Sequence, residues 1–255
     1  MSLKKILCIP DIQAPKHDET AVSTAVSIVK GEKPDILIYM GDFIANDSVA
    51  RFSPKQIQDT ILTADIEIAS ANSILDRFDH VTPKKCKKIF LEGNHEERLE
   101  AYIAQHAWKL GPNFKGINIR DQLRCKERGY VYISKGEQPY KPCKKSKISF
   151  LHGEYVRKHH ARLHSDNYRR SLIYGHTHDV QCVTEPHIKG EFPGVVMSIG
   201  CLCDYNQSYN KGKVSRWQHC VGMVYLNEKT GRFQAFPHRI IDGWTIVNGR
   251  EYNGS

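Results

Sequence analysis

The chain has 255 residues, a formal net charge of +9 and 40% hydrophobic residues. This length and hydrophobic content suit one domain with its own core and exclude a chain that is disordered throughout. The apolar runs fall short of the roughly 20 residues that a membrane-spanning helix needs, and the N-terminal run is too short for a signal peptide. We therefore expect a single domain over residues 1–255 that is cytoplasmic and has no membrane partner. The sequence does not indicate which oligomeric state the protein adopts.

The first half of the chain alternates apolar strands with helices. The predicted elements are a strand at Lys5–Ile9, a helix at Glu19–Lys30 closed by Gly31, a strand at Asp35–Met40, a helix that begins at Ser53-Pro54 and keeps an apolar stripe to Phe78, a strand at Lys88–Leu91, and a helix at Glu96–Leu110. Ser53 and Gln56 form a capping-box pattern, and the stripe has the spacing of a helix that packs on a sheet.

The second half begins with a segment that has no strong period. We expect a cap or lid insert around residues 112–146. Further strands are predicted at Ile148–Leu151, Ser171–Tyr174, Val195–Ile199, Val221–Leu226 and Arg232–Phe236. Strands that alternate with helices indicate an α/β fold.

Each of the first five strands ends in a turn that carries Asp, Asn or His. Because ligands bind at the carboxyl ends of strands in open α/β sheets, these turns are expected to meet at one site. The candidate metal ligands are Asp11, Asp42, Asn94, His152, His176 and His178. Oxygen and imidazole donors without thiolate suit Mn²⁺, Fe or Zn²⁺. Such a site predicts a hydroxide held by two divalent metals that attacks phosphorus, with His95 assisting the leaving group.

The same turns resemble the motifs of the calcineurin-like metallophosphoesterase superfamily. They read Asp11-Ile12-Gln13, Gly41-Asp42, Gly93-Asn94-His95-Glu96, His152-Gly153 and Gly175-His176-Thr177-His178, in the family order. The resemblance implies a four-layer α-β-β-α sandwich of two mixed sheets flanked by helices. It also implies that Asp11 and His178 bind the first metal, that Asp42 bridges, that Asn94, His152 and His176 bind the second, and that His95 is the catalytic histidine.

Gln13 departs from the pattern, since the family usually has histidine there. A glutamine amide oxygen is a weaker ligand for Zn²⁺ or Fe than imidazole, so the first site is expected to prefer Mn²⁺ or Mg²⁺. Contact with substrate or with a metal-bound water, or loss of the first metal, are the alternatives for Gln13.

The Gly-His-Thr-His motif resembles the phosphodiesterase and nuclease branches, whereas Gly-Asn-His-Glu resembles the Ser/Thr protein phosphatases. We predict a phosphodiesterase that acts on nucleic acid or nucleotides. A phosphomonoesterase or protein phosphatase, and a non-catalytic metal-binding scaffold, are the alternatives.

Basic residues that suit a phosphate-bearing partner cluster at Lys84–Lys88, Lys141–Lys147 and Arg157–Arg170. Neutralising phosphates releases counterions, so DNA or RNA is a candidate partner, and a solvated basic surface is the alternative. Arg98 and Arg157 are candidates for holding a substrate phosphate. His160 and His164 stand at helical spacing, and a solvated basic face is favoured over a metal-binding pair.

The eight cysteines do not follow the spacing of a zinc site, because no Cys-x-x-Cys pair occurs. Reduced thiols that pack as small hydrophobic groups are favoured. A metal site formed by Cys201, Cys203 and Cys220 is the less favoured interpretation.

Overall fold

Two β-sheets and a short hairpin contain the strands of the computed structural model, which describes residues 3–50, 62–106, 117–185, 194–207 and 215–254. In chain order the strands are β1 (Leu3–Ile9), β2 (Ile36–Tyr39), β3 (Lys87–Leu91), β4 (Tyr130–Ile133), β5 (Ile148–Leu151), β6 (Ser171–Tyr174), β7 (Cys182–Glu185), β8 (Gly194–Ser198), β9 (Cys220–Asn227), β10 (Phe233–Arg239), β11 (Trp244–Val247) and β12 (Arg250–Asn253).

Both large sheets are mixed. The first has the order β10-β9-β1-β2-β3-β4, with β1 to β4 parallel and β9 antiparallel to both β1 and β10. The second has the order β5-β6-β8-β7, with only β7 antiparallel to its neighbour. β11 and β12 pair with each other as a separate hairpin.

The described helices are α1 (Glu19–Glu32), α2 (Ala64–Val81), α3 (Glu96–His106), α4 (Ile119–Gln122) and α5 (His160–Tyr168). Single 3-10 turns occur at Asp47–Val49 and Lys135–Glu137. Among the described residues, no helix has both the length and the apolar character needed to cross a membrane.

Alternating side chains on the strands explain how the layers form. On β1, Ile6 and Cys8 lie in a core between the two sheets, where they are joined by Phe150 and Ile173. Leu7, in contrast, belongs to the core that the first sheet forms with α1 and α2. Because successive strand residues point to opposite faces, each sheet presents one face to the other sheet and one to helices.

The outer face of the second sheet is covered by α5, where Leu172 and Tyr174 pack with Ala161. The order of layers is therefore helices, first sheet, second sheet, helix. This confirms the predicted four-layer α-β-β-α sandwich of two mixed sheets.

The end of α1 differs from the prediction. The helix continues through Gly31 to Glu32 and ends where Lys33 adopts a left-handed conformation with φ of 48°. A Cβ at Gly31 would lie 2.5 Å from Oη of Tyr252, so a larger residue there would displace the Tyr252 ring.

The segment expected to form a cap or lid contributes β4, which pairs with β3 as an edge strand of the first sheet. The described part of the long second helix begins at Ala64 after Thr63. The predicted cap at Ser53, Pro54 and Gln56 and the predicted end of α3 beyond residue 106 lie outside the described residues.

Candidate metal centre

The predicted ligands converge from both sheets at the carboxyl ends of their strands. The turns after β1, β2 and β3 carry Asp11, Asp42 and Asn94, and the turns after β5 and β6 carry His152, His176 and His178. The site therefore lies at one edge of the sandwich, where the two sheets meet.

Left-handed backbone at the strand ends aims several of these side chains inward. Asp42 has φ of 49°, His176 of 69° and His178 of 61°. Non-glycine residues adopt such values only where neighbouring structure holds them. Around Asp42 the holding group is the buried carboxylate of Glu96, which accepts hydrogen bonds from the backbone N–H groups of Asp42, Phe43 and Gly93, each at 2.8 Å.

Four of the ligands form one tight cluster around the His152 ring. Nδ1 of His152 donates to the Met40 carbonyl at 2.9 Å, which leaves Nε2 facing the site. That Nε2 lies 2.9 Å from Asn94 Oδ1, 3.2 Å from Asp42 Oδ2 and 3.1 Å from His176 Nδ1. Imidazole nitrogens, a carboxylate and an amide oxygen that converge in this way fit a divalent cation of borderline or hard character.

Electrostatic coupling within the cluster is strong. Burial opposes ionisation of Asp42, but the imidazoles of His152 and His95 hold the pKa of its carboxyl well below the usual range. Burial would lower the pKa of His152, but Asp42 raises it to about 10. Burial and His152 lower the pKa of His176 to about 4. In the metal-free protein the proton on His152 therefore supplies the positive charge that Asp42 requires.

Asp11 and His178 form the other half of the site. The Asp11 carboxylate is buried and accepts the His176 backbone N–H at 3.0 Å on each oxygen. His178 Nε2 lies 3.2 Å from Asp11 Oδ2. Burial would lower the pKa of His178, but the hydrogen bond to Asp11 raises it to about 9. The two side chains lie side by side, and their role as ligands of the first metal stays a prediction.

The Gln13 side chain lies between Gln207 and His178. Its Oε1 accepts a hydrogen bond from Gln207 Nε2 at 3.0 Å, and its own Nε2 faces His178 Nε2 at 3.4 Å. Gln207 Nε2 also lies within bonding distance of the Lys16 carbonyl, at 3.4 Å, which favours this amide orientation. In this arrangement the amide nitrogen of Gln13 faces His178 and its oxygen faces Gln207, and its role as a metal ligand stays a prediction.

Two thiols that the sequence did not connect to this site lie beside His178. Cys201 and Cys203 are fully buried, and one ligand atom from each of the three residues lies within 4.8 Å of the others. Burial opposes ionisation of Cys201, but its hydrogen bond with Cys203 and the nearby His178 lower the pKa of its thiol, while burial raises the pKa of Cys203. Cys220 instead donates to the Val221 carbonyl at 3.4 Å.

The only sequence signal for the two thiols is their position after the strand predicted at Val195–Ile199. The chain leaving this strand runs beside the first metal motif. Its backbone pairs with that motif through isolated β-bridges, Cys201 with Asp11 and Cys203 with His17. Such long-range pairing is not encoded in cysteine spacing.

His95 lies at the edge of the Asp42 cluster. Its Nδ1 donates to the Ala45 carbonyl at 2.8 Å, and its Nε2 accepts from Arg98 Nη2 at 2.8 Å and lies 3.6 Å from Asp42 Oδ2. Burial lowers the pKa of His95, Asp42 opposes the change, and Arg98 adds to it. The ring is fixed with Nε2 toward the cluster.

The two arginines predicted to hold a substrate phosphate differ in their surroundings. Arg98 is engaged within the protein, since its Nη1 donates to the Ala45 carbonyl and to Asp47 while Nη2 holds His95. Arg157 is exposed and lies in the loop that follows His152. Arg98 therefore has partners within the protein and Arg157 is exposed, and the role of both in holding a phosphate stays a prediction.

The predicted basic face at His160 and His164 is wrong, because both rings are buried. His160 lies 2.6 Å from the Tyr174 hydroxyl through Nδ1 and 2.7 Å from Asp179 Oδ1 through Nε2. His164 Nε2 accepts the Glu154 N–H at 3.1 Å. The two histidines attach α5 to β6 and to the turn that carries His178.

Comparisons with known proteins identify the family of the chain. The family model of the calcineurin-like phosphoesterases matches residues 4–180, which include all the motif residues. Similar solved structures include a single mutant of Vps29 from Entamoeba histolytica (TM-score 0.45, 11% identity, 98% of each chain) and TT1561 of Thermus thermophilus (TM-score 0.35, 10% identity, 92% of this chain and 99% of that one). Purple acid phosphatase PPD1 from yellow lupin (Lupinus luteus) is also similar (TM-score 0.38, 11% identity, 92% of this chain and 53% of that one). Comparison with curated proteins gives no significant match. Because the family model covers more than half of the 255 residues, the chain belongs to the calcineurin-like phosphoesterase family.

Proposed function

We propose that this protein is a phosphodiesterase that acts on nucleic acid or nucleotides. Metal-dependent phosphoester hydrolysis follows from its family, and the proposal adds the class of ester. The metal chemistry is supported by the convergence of Asp42, Asn94 and His176 on Nε2 of His152, and the ester class is supported by the resemblance of the Gly-His-Thr-His motif to phosphodiesterases. These donors leave a place for a cation beside the fixed ring of His95.

The proposed ligands divide into two groups that share Asp42. Asp11 and His178 would hold one ion, while Asn94, His152 and His176 would hold the other. Bound divalent ions, which we propose are Mn²⁺ with Fe, Zn²⁺ and Mg²⁺ as alternatives, would supply an activated nucleophile and neutralise charge on the phosphoryl oxygens. Gln13 would join the Asp11 group only if its amide oxygen exchanged its hydrogen bond with Gln207 for the ion.

His95 is assigned to the leaving group. Its Nδ1 is bound to the Ala45 carbonyl, so Nε2 is the atom available at the cluster. Nε2 accepts a hydrogen bond from Arg98 Nη2, so general-acid catalysis, a contribution worth about 10²–10⁴-fold in rate, would require Nε2 to exchange this bond for a proton that passes to the departing oxygen. Arg98 acts as a positioning residue, because its guanidinium links His95 to Asp47 and fixes the plane of the ring.

The exposed basic residues bear on the substrate only where they lie near this edge. Lys84 to Lys88 and Lys144 to Lys147 lie at the amino ends of β3 and β5, about 15 Å from the site for strands of this length. Arg157 and Lys158 lie in the loop that follows His152. The Lys158 carbonyl accepts a hydrogen bond from Gln181 Nε2 at 3.0 Å, which holds this loop beside the turn that carries His178. Exposed positive charge at this edge suits a substrate whose phosphates extend past the scissile bond.

The test is a substrate panel with Mn²⁺ that includes bis(p-nitrophenyl) phosphate, dinucleotides, single-stranded DNA and RNA, and p-nitrophenyl phosphate as the monoester. We expect diester hydrolysis that is abolished in Asp42→Asn and reduced about 10²–10⁴-fold in His95→Ala. His106→Ala is the matched control, because His106 is an exposed histidine of α3 that stacks on Tyr102. Cleavage of monoesters alone, or full activity in His95→Ala, would contradict the proposal.

A further inference from the structure

The His178 ring lies between two different sets of ligand atoms. Its Nε2 edge faces Asp11 Oδ2 at 3.2 Å, and its Nδ1 edge faces Cys203 Sγ at 3.7 Å. Trp217 packs edge-on against the ring, with centroids 4.3 Å apart, and holds its plane. One histidine is therefore presented to a carboxylate on one side and to thiols on the other.

We propose that Cys201, Cys203 and Nδ1 of His178 form a second type of metal site in this protein, selective for a thiophilic ion such as Zn²⁺. Two sulfurs and one imidazole nitrogen are a soft ligand set, unlike the oxygen and nitrogen donors around Asp42. Three protein ligands also leave a fourth position of a tetrahedral ion open.

The distances suit this assignment. Zinc–sulfur bonds of about 2.3 Å and zinc–nitrogen bonds of about 2.0–2.1 Å separate the ligand atoms of a tetrahedral ion by roughly 3.5–3.8 Å. The separation of His178 Nδ1 and Cys203 Sγ is already 3.7 Å, and Cys201 lies within the same 4.8 Å group. Shifts of the side-chain ligand atoms by up to about 1 Å would therefore bring all three within bonding distance of one ion.

The far side of the ring supports the same assignment. Histidine ligands of zinc commonly donate their other ring N–H to a carboxylate, which fixes the tautomer. Asp11 Oδ2 stands in that place for His178 Nε2. Binding forms two zinc–sulfur bonds and one zinc–nitrogen bond, and the two thiol protons leave to solvent, together with the Nδ1 proton of an imidazolium.

Metal binding at the thiols would also regulate the proposed metal centre. This consequence rests on the proposed function, but the thiol site itself does not. Neutral imidazole has one ring lone pair, so a metal on Nδ1 leaves the proton on Nε2. His178 then cannot use Nε2 for the hard metal that Asp11 would share. Zn²⁺ on the thiol side is expected to compete with Mn²⁺ on the Asp11 side.

The direct test is titration of the reduced, metal-free full chain with Co²⁺, which gives sulfur-to-metal charge-transfer absorption only when thiolates bind it. We expect a saturable band in the wild type and in Cys8→Ala, a control in which another fully buried thiol is removed. The band is expected to be lost when Cys201→Ala and Cys203→Ala are combined. A band of unchanged strength in the combined variant, or none in the wild type, would overturn the proposal.

A second measurement does not depend on the variants folding. X-ray absorption of the wild type loaded with Zn²⁺ should show two sulfur neighbours at about 2.3 Å, and a shell of nitrogen and oxygen alone would refute the site. Zn²⁺ should also lower Mn²⁺-supported hydrolysis at least tenfold in the wild type and less than twofold in the combined variant, and equal inhibition of both would refute the competition. Hydrolysis without the Co²⁺ band removes this inference alone, while the band without hydrolysis removes only the proposed function.

Discussion

Gly175 offers a sharp test of how the fold positions Asp11. A Cβ at this position would lie 2.3 Å from Asp11 Oδ1, whereas ordinary contact begins at 3.4 Å. In Gly175→Ala the carboxylate oxygen must therefore retreat by about 1.1 Å from the new methyl group. Gly175 does not have a positive φ, so the effect comes from this contact and not from backbone strain.

The magnitude follows from what holds the carboxylate. Asp11 is fixed by the His176 N–H and lies 3.2 Å from His178 Nε2, so it cannot move without loss of these interactions. Overpacking of this kind costs about 1–3 kcal/mol of unfolding free energy. Misplacing an active-site group by about 1 Å lowers the rate about 10²-fold. We expect both losses in Gly175→Ala.

Urea unfolding and Mn²⁺-supported hydrolysis of bis(p-nitrophenyl) phosphate measure the two effects. The control is Gly136→Ala, since no atom lies within 4 Å of a Cβ at Gly136. Its unfolding free energy should stay within about 0.5 kcal/mol of the wild type. Activity within twofold of the wild type in Gly175→Ala, with unchanged Mn²⁺ affinity, would refute the reasoning.

Three further predictions concern Arg98, the pair of His152 with Asp42, and the C-terminal hairpin. Arg98→Met should lower kcat about tenfold with KM nearly unchanged, because Arg98 orients His95. Steady-state kinetics that show a raised KM and an unchanged kcat would indicate instead that Arg98 binds the substrate. The pKa of His152 is raised to about 10 from an unfolded value near 6.5, so the stability from its pair with Asp42 is full below pH 6.5 and is lost as pH rises through about 10. Metal-free protein should thus lose unfolding free energy between pH 7 and 10 in urea titrations, and an equally steep loss in Asp42→Asn would contradict this. Tyr252→Phe should cost about 1.5–3 kcal/mol in urea unfolding, since it removes a 2.8 Å hydrogen bond to a buried carboxylate at the end of α1, and a cost below about 0.5 kcal/mol would be evidence against that anchor.

The main strands and their turns could be predicted because local pattern and global position agree there. Ile148–Leu151 and Ser171–Tyr174 are short buried runs that end in glycine and histidine, and they are strands with these bounds. The edge strand Tyr130–Ile133 was missed, because its residues range from buried to exposed and its pairing partner β3 lies about 40 residues earlier.

The chemistry of individual side chains was less predictable than the ligand set. Arg98 stands three residues after His95, but its other partner, Asp47, lies 51 residues earlier in the chain, and no motif names it. Gln13 looks like a ligand in sequence, and only its hydrogen bond with Gln207 turns its oxygen away. The contacts of Arg98 with Asp47 and of Gln13 with Gln207 join segments far apart in the chain, and composition and periodicity do not contain them.

The meeting of the two sheets at the ligand cluster has a consequence for stability. Asp42 and Asn94 extend from the first sheet, and His152 and His176 from the second, so an ion bound by these donors would tie the sheets together at that edge. A ligand that binds only the folded chain adds about 2.7 kcal/mol at a concentration 100 times its Kd. The cohesion of the sandwich would then vary with the supply of metal, and chelation would open this edge first.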